Sequence, residues 1–90
     1  MDWKALPGGD LIEEGLSDLV AKRMTVAAAL VSVGAPRLRT LGMQLPPVMP
    51  DPERRLYELL AAHGQDSAHG RYNALVRRLV SFERAYACAR

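Results

Sequence analysis

The sequence predicts an all-α fold: a small four-to-five-helix bundle with a long C-terminal helix and a proline-rich central connector. Three observations predict it. Over 67–89, Tyr72, Leu75, Val76, Leu79, Phe82 and Tyr86 recur at helical spacing, while Arg71, Arg77, Ser81 and Arg84 fall elsewhere. Shorter segments upstream carry paired helix-start and helix-stop residues. No segment alternates in the way a half-buried strand does, and neither a repeat nor a low-complexity tract is present. The expected organisation is an N-terminal arm over 1–9 and a single helical domain over 10–90.

In the arm, Pro7-Gly8-Gly9 is turn material, and Trp3 is expected to tuck onto the domain and tie the arm down. The first helix is expected from Asp10. Asp10-x-x-Glu13 has the spacing of a capping box, and Lys22 and Arg23 close the far end where cations suit the helix dipole. Ile12, Leu16, Leu19 and Val20 make its buried stripe, and Gly15 on the same side permits a close neighbour. One unbroken helix over 10–33 would keep its spacing through Val20, Met24, Ala27 and Val31, but a break is favoured because Thr25 can cap a new helix.

That second helix, Val26 to Val33, is apolar nearly all round, so it belongs in the centre of the molecule or in an interface. Gly34 is expected to end it and Pro36 to start a short third helix that Gly42 stops. Met43 to Pro50 carries Pro46, Pro47 and Pro50 and reads as an extended, solvated connector with Leu45 and Val48 as anchors. Asp51-Pro52-Glu53 then opens a helix, with Leu56, Tyr57, Leu59 and Leu60 on its buried side and Gly64 as its stop. Asp66 or Ser67 caps the last helix, which spans roughly 30 Å at 1.5 Å per residue. The first helix has an acidic excess and the last a basic one, so their charges should flank the apolar seam.

Composition bounds the function. Of 90 residues, 49% are apolar, which argues against a disordered chain. The net charge of +2 comes from 12 bases and 10 acids, too small a surplus to argue for nucleic acid by itself. The lone Cys88 cannot form an internal disulfide, and the first residues lack a basic-then-apolar signal pattern. A reducing, cytoplasmic setting is expected. The longest apolar run, Val26 to Val31, is far below the roughly 20 residues that span a bilayer, so no membrane role is expected.

Chemistry-bearing residues are few. Asp66, Ser67 and His69 are near neighbours, but a triad needs a base placed on a nucleophile and an oxyanion site, and a helix start explains these residues. His63, His69 and Cys88 match no zinc spacing, and Glu13, Glu14 and Glu58 read as solvated carboxylates. No catalytic, cofactor-binding or metal-binding residues are assigned, and no enzyme is expected. Pro47-Val48-Met49-Pro50 matches PxxP, which a stiff connector also explains.

The segment 25–42 resembles the helix-turn-helix motif: an alanine-rich helix, a turn glycine at Gly34 and a short helix bearing Arg37 and Arg39. The resemblance implies that Arg37 and Arg39 would reach DNA bases or phosphates. It departs from the motif at Pro36 and in the shortness of the second helix, and a tight corner between two helices is the favoured reading. Arg77 and Arg84, with Arg71 and Arg78, are the other phosphate candidates, although no aromatics alternate with them to stack bases. The expected function is therefore a small non-catalytic protein acting through contact with a protein partner, self-association as a homodimer included. The alternative is a nucleic-acid-binding regulator using 25–42.

Overall fold

The structure is a computed structural model and describes residues 2–89. Met1 of the expected arm and Arg90 of the expected last helix lie outside the described residues. A 3-10 turn, Trp3–Ala5, precedes four helices: α1 (Gly9–Val20), α2 (Val26–Thr40), α3 (Pro52–Ala61) and α4 (Gln65–Ala89). The fold is all-helical, with no strand among the described residues.

α4 is one uninterrupted rod of 25 residues. At 1.5 Å per residue it is about 37 Å long, and the molecule's long axis measures 38 Å. Its periodic apolar residues face inward. Leu79 and Phe82 are buried and Tyr72, Leu75, Val76 and Tyr86 are half-buried. Trp3 meets Phe82 edge-on at 5.9 Å between ring centroids, and Phe82 stacks on Tyr86 at 5.7 Å. The arm is thus fastened to the spine by aromatic contact, as its composition led us to expect.

α2 is the central element. Ala27, Ala28, Ala29, Leu30, Val31, Ser32, Gly34, Ala35 and Leu38 are buried on it, and it packs against α1, α3 and α4. Being apolar nearly all round reflects enclosure within this one chain rather than a face left for a partner. The close approach of α1 depends on Gly15: a Cβ there would overlap the Ala27 carbonyl oxygen and Val31 Cγ2.

The break before α2 forms as expected, but the break at Gly34 does not. α2 runs through both Gly34 and Pro36 to Thr40, so the expected corner and the separate third helix are absent, and the helix-turn-helix outline over 25–42 has no turn. The reason is packing. A Cβ on Gly34 would lie 2.7 Å from Leu79 Cδ1, so this glycine lets α4 approach instead of turning the chain. Pro36 is exposed, with its ring on the solvent side, and the buried run from Ala27 to Leu38 holds the helix together across it. The stop comes at Gly42, whose φ of 99° suits glycine. Its N–H donates to the Arg39 carbonyl at 2.9 Å and the Met43 N–H to that of Leu38 at 3.0 Å. This is a Schellman ending, and both Leu38 and Met43 are buried in the core.

Three further details differ from the sequence reading. The Asp10 capping box does not form: the Gly9 N–H already donates to Leu6, which starts α1 one residue earlier with Gly8 at the N-cap. Asp10 instead accepts from Arg78 on α4 at 3.2 Å, and Glu13 pairs with Lys4 at 3.9 Å. Asp51 stands before α3 but caps no amide, because its carboxylate pairs with Arg54 at 2.9 Å. α4 begins at Gln65, ahead of Asp66 and Ser67, and the Ser67 hydroxyl donates back to the Gly64 carbonyl at 3.2 Å.

Candidate functional site

A broad groove lies where α1 ends and the proline-rich connector passes the turn into α2. Its volume is about 410 Å³, and it is lined by Leu19, Val20, Lys22, Arg23, Met24 and the run Pro46–Pro50. That volume falls within the roughly 300–1,000 Å³ range of ligand sites. A smaller pocket of about 140 Å³ shares Met24 and Met49 with it and is completed by Arg55, Glu58, Leu59 and Ala62 of α3 and its end.

One wall is set by the turn between α1 and α2. The N–H of Lys22 donates to Leu19 and that of Arg23 to Asp18, at 3.1 and 2.7 Å, which is again a Schellman ending. Here the left-handed residue is Lys22, at φ 61°, rather than glycine. Asp18 is nearly buried and fixes the next residues. It accepts the Thr25 hydroxyl at 2.5 Å and the Arg23 Nε at 3.3 Å. Thr25 in turn accepts the Ala28 N–H at 3.1 Å, the helix cap the sequence called for. Two consequences follow for apolar side chains. Met24 projects outward, 51% exposed, and Val20, expected in the buried stripe, is 71% exposed. Helix α1 turns Ile12, Gly15 and Leu19 inward, which leaves Val20 beyond the contact.

The opposite wall is the connector, and it is packed rather than solvated as expected. Met43 and Met49 are buried, and Leu45 and Val48 are half-buried. Buried Ser32 pins it: the Ser32 hydroxyl donates to the Ala28 carbonyl at 2.8 Å and accepts the Met49 N–H at 3.0 Å. Three prolines stiffen the same stretch by fixing φ. Both walls are therefore held by bonds to α2, and the groove exists before anything enters it. No protein-family model, curated protein or solved structure matches this chain.

The other candidates are dispersed. Arg37 and Arg39 sit exposed in the last turn of α2, and Arg77 and Arg84 are exposed on α4. Arg71 is exposed there as well, while Arg78 is engaged with Asp10. Arg37 lies near enough to Glu83 for its charge to favour the ionised carboxylate, but partial burial of Glu83 outweighs it and raises the carboxyl above its ordinary value. Ser67 bonds Gly64 and His69 faces Asn73 at 3.3 Å, so hydroxyl and imidazole have separate partners. Among the described residues no three His, Cys, Asp or Glu side chains gather as a metal set, and no helix is long and apolar enough to cross a membrane. Cys88 is exposed near the end of α4.

Reasoning from the sequence missed the groove. Val20 and Met24 kept the spacing of a core stripe, and Pro46–Pro50 read as a linker. Nothing local records that segments more than twenty residues apart face each other.

Proposed function

We propose that this protein is a non-catalytic helical module that acts by binding another protein, and that its contact surface is the groove between the α1–α2 turn and the proline-rich connector. The observation that carries this reading is the exposure of Val20 and Met24, 71% and 51%, over an apolar floor; Tyr57, expected on the buried side of α3, is the next most exposed large apolar residue among those described, at 39%, and lies outside the groove. An apolar concavity with pre-set walls is what partner-binding surfaces require. The apolar residues of α2 and of the α4 seam pack within the one chain and call for no second one to cover them. A second copy would therefore have to use the groove.

The test is reconstitution from pure components. Proteins retained by the wild-type chain are identified, purified and titrated against wild type and a Val20→Asp/Met24→Asp variant. Loss of binding by a variant of unchanged melting temperature supports the groove, and equal binding removes it. Sedimentation of the protein alone at micromolar concentration decides whether the partner is a second copy. Retention on duplex DNA at low salt, abolished by Arg37→Ala with Arg39→Ala, would replace this reading with the nucleic-acid one.

A further inference from the structure

We infer that the groove takes an amphipathic helix of a partner protein, with apolar side chains one turn apart on its inner face and carboxylates along the edge that meets Lys22. The inference rests on the groove being the contact surface and adds the form and charge of what fills it.

The form follows from the connector's backbone. An extended peptide that joined this wall as a strand would need its N–H and C=O groups. Among Pro46, Pro47, Val48, Met49 and Pro50 only Val48 and Met49 carry an N–H, and that of Met49 is already given to Ser32. A single donor is left, too few for strand pairing. A helix satisfies its own backbone and asks the groove only for apolar contact, which Val20, Met24, Val48 and the prolines supply. The thioethers of Met24 and Met49, between the two pockets, adapt to a packed side chain without a fixed shape.

The charge follows from the rim. Lys22, Arg23 and Arg55 line the two pockets, and Glu58 is the one acid among the lining residues. Arg23 is committed to Asp18, while Lys22 and Arg55 make no ion pair among the described residues. Lys22 also occupies a left-handed position where glycine would relieve backbone strain. What lysine adds over glycine there is a cation at the edge of the apolar floor. The same charges disfavour a second copy as occupant. Groove-to-groove pairing about a two-fold axis brings together two rims that each carry Lys22 and Arg55 without an ion pair, with Glu58 the one acid among the lining residues to offset them.

The test uses a random dodecapeptide library displayed on phage and selected on the intact protein, with the Val20→Asp/Met24→Asp variant as counter-selection. The expected winners place large apolar residues three or four apart beside Asp or Glu, and become helical when bound, by circular dichroism. Their affinity should fall roughly tenfold on Lys22→Glu and weaken as salt is raised. Groove-dependent winners that are basic, or extended and proline-rich, would overturn the inference and leave the groove as a contact surface. Winners indifferent to Val20 and Met24 would overturn both.

Discussion

The hydroxyl of Ser32, buried in the middle of α2, accepts the backbone N–H of Met49 at 3.0 Å across 17 residues of sequence. This one bond joins the centre of the bundle to the connector that walls the groove. Ser32→Ala would leave the Met49 amide unpaired in a buried place, a loss of about 1–3 kcal/mol. Chemical denaturation gives the stability change. Amide hydrogen exchange should show Met49 among the residues whose protection falls most, because the opening is local to the connector.

Two glycines should respond in opposite directions to the same substitution. At Gly15 a methyl group meets the Ala27 carbonyl, which is backbone and cannot swing aside. Gly15→Ala should destabilise by about 1–3 kcal/mol, the range for forcing extra volume into a packed contact. At Gly70, exposed inside α4, a Cβ meets nothing within 4 Å. Gly70→Ala should stabilise by roughly 0.5–1 kcal/mol through helix propensity alone. Thermal melts of the two variants side by side check both signs.

Lys22→Gly separates stability from binding. It relieves the left-handed strain at φ 61° and should raise stability by about 1 kcal/mol. The same change removes the rim cation, so a groove-selected acidic helix should bind it more weakly than wild type. A variant that is both steadier and a poorer binder would show that this position serves contact rather than folding.

Burial holds the Glu83 carboxyl above its ordinary value of 4.5, with Arg37 opposing the shift. For an acid whose value is raised on folding, the native state holds its proton more tightly than the unfolded chain. Its contribution is therefore favourable at acid pH and is lost as pH rises from 4.5 through the raised value. Glu83→Gln should flatten the stability profile over that window and leave the neutral-pH protein at least as stable as wild type. Denaturant midpoints measured across the window read this directly.

How legible the molecule was in its sequence depended on whether the signal was local. The period of Tyr72, Leu79, Phe82 and Tyr86 marked α4 as a single rod, and Thr25 marked the start of α2, because helix spacing and capping are written within a turn or two. Gly34 and Pro36 misled for the same reason. Locally they are breakers, but Leu79 from α4 packs on Gly34 and the long buried face of α2 overrides Pro36. The Asp10 box failed because Leu6, upstream, supplied the turn instead. The groove was invisible, since it joins Val20 and Met24 to Pro46–Pro50 only through the Asp18–Thr25 and Ser32–Met49 bonds.

The most direct measurement is a methyl NMR titration of the labelled protein with a bound partner or groove-selected peptide, reading intermolecular contacts at Val20, Met24 and Val48. Binding through the groove predicts that these methyls contact the partner while Leu79, buried against Gly34 and no part of the groove lining, does not. Contacts confined to the exposed arginine side of α4, with the Val20 and Met24 signals unmoved, would contradict it.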